Sequence, residues 1–454
     1  MVGIDQSNPV PGGIERYHIV TWPACGLNED TVIGHFRKAE MSTQDRSIAA
    51  IVPAVNDHRQ EQHRMNQNIS IVGSGHTKFG RLEQNLEAMI VEATREAVEE
   101  SGIAPADIDA VFLGHFNSGM VTDGFASSLI HQAYPELRFK PAMRAENACA
   151  SGSAAIHAGM NTILAGKAKT VLVVGAEKMT HRPTADITAA LAGAGYQNDE
   201  DEKKLSFPQV FGVAAKEYTQ RYGSPLDAMA QIAAKNHHNA MSNPLAHMQK
   251  EFSFEQCREV TDKNPEIAPP LRLTDCSLVT DGAAAIVLTT EENAANSPKA
   301  ARFRSAVHVS DRLPISSRDF LAFEGPERAF AMALEQAGVS LADIDFAEVH
   351  DCFTIAELMT YEAMGLAPKG QGARVLEDGT VYRDGSLPVN LSGGLKAKGH
   401  PVGATGVSMH AISYRQLTGQ AGDMQKPGAQ LGLIFNMGGA AVANYVSVLE
   451  TQKA

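Results

Sequence analysis

Two stretches of this chain repeat each other. Residues 97–109 read AVEESGIAPADID, and residues 333–345 read ALEQAGVSLADID. Each is a helix end, a glycine stop and an Ala-Asp-Ile-Asp lead into an apolar strand, 110–113 or 346–349. Self-similarity of this kind has to be read before any fold is assigned, because it makes one half a copy of the other. The match continues more weakly downstream. Cys149-Ala150-Ser151-Gly152 opens a helix in the first half, and Gly403-Ala404-Thr405-Gly406 opens one in the second. The apolar run at 170–174 has its counterpart at 431–435. Strands alternating with helices predict a duplicated α/β unit with mostly parallel sheets covered on both faces.

The halves divide the chain into an N-terminal half at 67–295 and a C-terminal half at 296–454. Residues 1–66 lack a sustained helical or strand period and read as an extension outside the core, which begins with the buried strand 69–75. A more polar stretch, about 178–275, carries the charged run DEDEKK at 199–204 and reads as an inserted loop domain that caps the site. The segment 278–289 returns the chain to the first sheet.

Composition narrows the function. The net charge of −13 argues against a nucleic-acid partner. No run approaches the ~20 apolar residues of a membrane span. The five cysteines, Cys25, Cys149, Cys257, Cys276 and Cys352, are odd in number, widely spaced and form no CxxC pair. That excludes a disulfide framework and a cysteine zinc site, so no metal is expected. With no basic and then apolar leader, a reducing cytoplasm is the expected location.

Four clusters carry chemistry. Cys149 stands among small residues just before a helix expected at 154–164. A helix N-terminus favours thiolate, the nucleophilic form, and small neighbours admit a substrate carbonyl. The same window also reads as a buried structural cysteine. His350-Asp351-Cys352-Phe353 lies at the carboxyl end of a strand, where open α/β sheets place their ligands. Asn390 to Gly406 holds five glycines around His400-Pro401 and reads as a constrained loop with close backbone approach. Asn436-Met437-Gly438-Gly439 follows the last repeat strand and offers backbone N–H donors. A nucleophile, two imidazoles, a second thiol and exposed amides suit acyl transfer through a thioester. Each well-placed oxyanion donor is worth about 3 kcal/mol of barrier.

These residues resemble a known family. Cys149 with Ser151 resembles the CxS nucleophile motif of thiolases, and Gly399-His400-Pro401 their GHP motif. His350-Asp351-Cys352-Phe353 resembles the HDCF signature of the sterol-carrier-protein-type branch, and LRLTDCSLVTDGAA at 271–284 is similar to that branch too. The resemblance spans about 69–449. It implies a five-layer αβαβα fold, a homodimer or tetramer, and thiolysis of 3-oxoacyl-CoA or its reverse, the Claisen condensation. Coenzyme A is then a substrate, and no cofactor is implied. Cys149 is the implied nucleophile, activated by His400. His350 and His400 line one oxyanion hole, and the Cys149 and Gly438 amides form the other. One motif departs from the pattern. Most thiolases carry a second cysteine in a C-terminal CxG motif, where this chain has Asn436. Cys352 is therefore the implied α-proton acid/base, a thiol near pKa 8.5 being able to exchange a proton. Ser277 matches a serine near the pantetheine, and Cys276 beside it reads as structural. Two rival readings remain: a decarboxylating condensing enzyme of the same fold, and a subunit that works only with a small acyl-CoA-binding partner protein.

Overall fold

The computed structural model describes residues 69–297 and 299–452. The expected extension at 1–66 lies outside the described residues. Nine strands form one continuous sheet: β1 (Ile69–His76), β2 (Ala110–Gly114), β3 (Ala142–Ala145), β4 (Thr170–Glu177), β5 (Gly282–Thr290), β6 (Ala301–Ser310), β7 (Phe346–Val349), β8 (Leu431–Gly438) and β9 (Ala443–Thr451). Their order is β3-β2-β4-β5-β1-β6-β9-β8-β7. Counted outward from the centre, β1-β5-β4-β2 and β6-β9-β8-β7 have the same topology. The halves join through the short β1–β6 pairing, Ser70 with Arg302 and Ile71 with Ala301. A parallel bridge from Ala347 to Val389 sets the second half's counterpart of β3 beside β7.

The sheet is mixed, which corrects the expectation of mostly parallel strands. β2 runs parallel to β3 and β4, and β7 to β8. The pairings β1–β5, β1–β6, β4–β5, β6–β9 and β8–β9 are antiparallel. The cause is connectivity. β8 and β9 are joined by a short turn, which permits only an antiparallel pair, and the segment after β4 brings the chain back to its side in the opposite direction.

The repeat holds down to hydrogen bonds. Helix α1 (Leu86–Ser101) starts at Asn85, whose side chain accepts from the Ala88 N–H, and stops at Gly102 with φ 67°. Its counterpart, which ends at Ala337, stops at Gly338 with φ 64°. The last aspartate of each Ala-Asp-Ile-Asp then ties a later strand in place. Asp109 accepts from the Lys169 and Thr170 N–H groups before β4, and Asp345 accepts from Gln430 and Leu431 before β8.

Helices α2 (Ser151–Leu164), α3 (Thr184–Ala192), α4 (Phe207–Tyr222), α5 (Leu226–Ala240), α6 (Glu324–Ala337), α7 (Thr354–Ala363) and α8 (Thr405–Leu417) complete the architecture. α1 covers the outer face of β1, β4 and β5, and α6 covers β6 and β9. α2 and α8 touch each other between the two halves of the sheet, α8 packing on strands of both. That gives the five layers of the thiolase fold, α1 / first half-sheet / α2 with α8 / second half-sheet / α6 with α7. The two central helices start almost in contact. A Cβ on Gly152 would lie 2.8 Å from the Val407 nitrogen and 2.9 Å from the Gly403 oxygen. Glycine is required there because backbone meets backbone. Residues between β4 and β5 carry α3, α4, α5 and a hairpin of Glu266–Ala268 with Leu271–Arg272.

Candidate active site

Cys149 sits on a tight turn between β3 and α2. The Ala150 N–H bonds the Asn147 carbonyl, and the Ser151 N–H bonds the Ala148 carbonyl. Ser151 stitches the turn, its hydroxyl accepting from the Asn147 N–H at 3.0 Å and donating to the Ala148 carbonyl at 2.6 Å. This is the physical use of the serine two places after the cysteine. Ala148 is held at φ 50°, a left-handed conformation costly for a residue with a Cβ. α2 begins at Ser151, three residues before the helix read from the sequence, because the turn already delivers helical hydrogen bonding.

Three loops from equivalent ends of the two halves converge on the sulfur. His350 follows β7, and His400 lies in the loop before α8. Cys149 Sγ and one ring nitrogen from each imidazole all lie within 4.8 Å of one another. The rings meet edge to face, with centroids 5.1 Å apart. Asn436, near the end of β8, reaches between the loops. Its Nδ2 lies 3.2 Å from the Cys149 carbonyl and 3.0 Å from His350 Nδ1. Its Oδ1 accepts from the Ser153 hydroxyl at 2.8 Å. His400 Nδ1 is 2.7 Å from the Thr405 hydroxyl, and its Nε2 is buried without a protein partner. Among the described residues, Cys149, His350 and His400 are the one trio of such side chains close enough to share a metal ion.

A cavity of about 350 Å³ opens over these groups. Cys149, His350, Cys352, His400 and Gly439 form its reactive end. Its walls are apolar: Met179, Ile187 and Leu191 on one side, Phe207 and Leu273 on another, and Val402 beside His400. The segment expected to cap the site supplies much of this wall through α3, α4 and the hairpin. Ser277 lines the cavity, and its N–H donates to the Cys352 carbonyl at 2.9 Å. Cys276 lines it too, with its Sγ 3.6 Å from the Arg272 carbonyl.

Electrostatics revise the expected thiolate. Burial pushes the Cys149 thiol up to about 12, and the Glu177 and Glu146 carboxylates add to the rise. N–H groups of Gly439 and of Cys149 itself pull the other way but lose. The helix-terminus argument omitted the cost of desolvating a sulfur anion, which is larger here. At rest Cys149 is therefore held as the thiol. Cys352 is likewise raised well above its usual range by burial, Cys149 and Asp351, not poised near 8.5. Burial and the Lys398 ammonium lower His400 to about 3, and burial with His400 lowers His350 well below 6.5. Both imidazoles are neutral at physiological pH.

The Gly439 N–H also faces the Cys149 sulfur. Gly438, the expected oxyanion donor, packs closely against the same turn. A Cβ there would sit 2.2 Å from the Asn147 carbonyl, so its glycine lets the nucleophile turn pack on β8.

A buried polar network behind the site escaped the sequence reading. The Asp351 carboxylate accepts from the Leu395 and Lys396 N–H groups and from Asn236, tying the loop after β7 to the His400 loop. Asn236 and Asn390 both donate to Glu357, which is paired with Lys235 at 2.8 Å. Burial and the Glu357 carboxylate raise Asp351 to about 7. Asp351 sat inside a recognised tetrapeptide, yet its partners lie on α5 and the distant glycine loop, which no local pattern announces.

The comparisons with known proteins agree with this architecture. Residues 69–292 match the family model "Thiolase, N-terminal domain", and residues 307–451 match "Thiolase C-terminal domain-like". An acetyl-CoA acetyltransferase of Methanothermobacter thermautotrophicus is 36% identical over 377 residues, covering 82% of this chain and 97% of that protein. Sterol carrier protein 2 of Bos taurus is 33% identical over 400 residues, covering 84% of this chain and 72% of that one. Among solved structures, an Ltp2-ChsH2(DUF35) aldolase superposes with TM-score 0.71 at 19% identity, covering 86% of this chain and 99% of that one. Human mitochondrial 3-ketoacyl-CoA thiolase superposes with TM-score 0.63 at 16% identity, covering 86% and 100%. The chain belongs to the thiolase family.

Proposed function

We propose that this acyltransferase cleaves 3-oxoacyl-CoA with free coenzyme A, or runs the reverse Claisen condensation, through an acyl group carried on Cys149. The observation that carries this reading is one thiol and two imidazoles within 4.8 Å at the reactive end of an apolar cavity that also holds a second thiol. His400 Nε2 takes the proton of Cys149 as the sulfur attacks the 3-oxo carbon, the transfer and the new S–C bond advancing together so that no free thiolate forms first. Ring N–H and backbone N–H groups hold the oxyanion. As the C2–C3 bond breaks, its electrons pass to the acetyl-CoA enolate, whose carbon takes the proton of the Cys352 thiol. A raised pKa suits that step, because the proton stays on Cys352 until an enolate needs it. The CoA thiol then gives its proton to the Cys352 thiolate and attacks the acyl-cysteine. Cys149 leaves and recovers its proton from His400. Ser277, at the cavity wall, is the residue we assign to the pantetheine arm. Coenzyme A enters and leaves as substrate, and the steps above call on no bound cofactor.

Among the described residues, the cavity lining carries no lysine, arginine or carboxylate. We infer an acyl group that is hydrocarbon rather than charged, of the kind lipid breakdown supplies. Cys352 next to His350 favours thiolase over the decarboxylating condensing reading, since loss of carbon dioxide would make the enolate without a second thiol. We also infer a homodimer or tetramer, supported by edge strand β3, where Met143 is exposed and the neighbouring Phe139 is 86% exposed. The Ltp2-ChsH2(DUF35) aldolase, whose fold this chain shares, is consistent with the alternative of a required partner protein. A cytoplasmic location fits the free thiols Cys149, Cys257, Cys276 and Cys352, and no described helix is long and apolar enough to cross a membrane.

The test is a series of 3-oxoacyl-CoA substrates assayed with the wild type and Cys352→Ala. Thiolysis by the wild type, with a kcat loss of about 100-fold or more in the variant, is expected. Undiminished condensation of acetyl-CoA by Cys352→Ala would sink the thiolase mechanism. Activity that appears only after adding a second protein would select the partner-dependent reading.

A further inference from the structure

We propose that Asn436 is a positioning residue, which fixes His350 with its ring proton on Nε2 and so makes it the hydrogen-bond donor of the site, opposite in tautomer to His400. The argument rests on the acyl-transfer reading for its purpose but not for its geometry.

A histidine's tautomer follows from what its partners offer. The Asn436 side-chain amide has three neighbours. On one side lie the Cys149 carbonyl at 3.2 Å and His350 Nδ1 at 3.0 Å, and on the other the Ser153 hydroxyl at 2.8 Å. The carbonyl can only accept, so the NH2 group must face it. The reverse orientation would set two oxygens against each other. The NH2 group therefore also faces His350, and Nδ1 receives a hydrogen bond through its lone pair. A neutral imidazole carries one proton, and on His350 it is then on Nε2. Burial keeps this ring neutral.

The same reasoning gives His400 the other tautomer. Its Nδ1 meets the Thr405 hydroxyl at 2.7 Å, and that hydroxyl donates to the Pro401 carbonyl at 3.1 Å. The hydroxyl has one proton and has placed it, so it accepts from His400 Nδ1–H. Nε2 keeps a bare lone pair, buried and without a protein partner. The two rings thus divide the work. His400 Nε2 is the base for the Cys149 thiol, and His350 Nε2–H donates to developing negative charge. Two like tautomers would give either two bases and no donor, or two donors and no base. The assignment also weighs against the trio as a resident metal site, because His350 would ligate through Nε2 only by moving its proton to Nδ1, against the amide of Asn436.

Asn436 occupies the position where most thiolases carry their second cysteine. Here the thiol has moved to Cys352, and the vacated position holds an amide that connects the nucleophile turn to His350. Its Cys149 bond ties the turn and the donor ring to one side chain.

The experiment is histidine-selective 15N NMR on the full-length protein, with His350 and His400 assigned by loss of their signals in His350→Gln and His400→Gln. The expected spectrum shows Nε2–H at His350 and Nδ1–H at His400. A proton on Nδ1 of His350 overturns the proposal. Asn436→Asp is the second arm. Its carboxylate can only accept, so the His350 tautomer should invert, and kcat for acyl transfer should fall by about 100-fold with KM within about threefold, the effect of losing one oxyanion donor. Retention of Nε2–H in that variant, or a kcat within about threefold of wild type, also overturns it. If Asn436→Asp does not fold, the wild-type spectrum decides alone. An enzyme with the expected tautomers but no thiolysis would refute the proposed reaction and leave the positioning role intact.

Discussion

Cys149 shows how one residue's chemistry depends on two opposed terms. The helix start and the Gly439 N–H favour the anion, and burial disfavours it more, leaving the thiol near 12. The sign of the pH dependence follows. Only the thiolate alkylates, and its fraction grows tenfold per pH unit below the pKa. Iodoacetamide labelling of Cys149 in the free enzyme should therefore climb without a plateau from pH 7 to 10, and a plateau near 8.5 would contradict the burial argument. That Cys149, His400, His350 and Cys352 belong together was legible from the motifs, since the residue types and their order stand in the chain, and the cavity brings them together. Their protonation states were not, because desolvation comes from residues far away in sequence. The Gly439 N–H beside the sulfur was not legible for a related reason: the turn after β8 brings it there.

Element-scale order rests on two close approaches between the halves. α2 and α8 begin against each other, with Gly152 between them, and the same meeting sets the nucleophile turn beside the His400 loop. A methyl at Gly152 meets backbone that cannot move aside. Gly152→Ala should destabilise by about 3 kcal/mol in a urea melt, at the upper end of overpacking costs, and lower acyl transfer with it. A neutral substitution would mean that the helix starts are further apart than described. The Asp351 network is the second device. Removing its carboxylate leaves the Leu395 and Lys396 N–H groups and one N–H of the Asn236 amide without their acceptor. Asp351→Ala should cost about 3 kcal/mol, measured by the same melts. The repeated helix, stop and strand could be read from residues 97–109 and 333–345 because each local signal agrees with the fold. Strand direction could not, because apolar runs such as 170–174 and 282–288 look alike whichever way they run.

For the whole molecule, burial of neutral histidines links stability to pH. His76, His157, His237, His350, His400 and His410 are all lowered, mainly by desolvation, to about 3 for His157, His237 and His400 and about 4 for His410. Unfolding restores values near 6.5, so below that pH the unfolded chain binds protons that the folded one refuses. Their contribution is complete above about 6.5 and is lost as pH falls, by about 1.4 kcal/mol per unit for each histidine at most. The melting temperature should drop steeply between pH 6.5 and 5, and a flat profile there would show that these rings are solvated. The duplicated architecture serves chemistry at this scale. Each half brings equivalent loops to one place, and what differs between the copies, a thiol in the first and two imidazoles with a second thiol in the other, forms the site.

The central claim is that Cys149 carries the acyl group. Incubating the protein with a 3-oxoacyl-CoA in the absence of free CoA, followed by intact-mass analysis and peptide mapping, tests it directly. The account predicts one acyl mass per chain, on Cys149, discharged when CoA is added and absent in Cys149→Ala. An adduct on Cys352, or turnover with no adduct on Cys149, would contradict it.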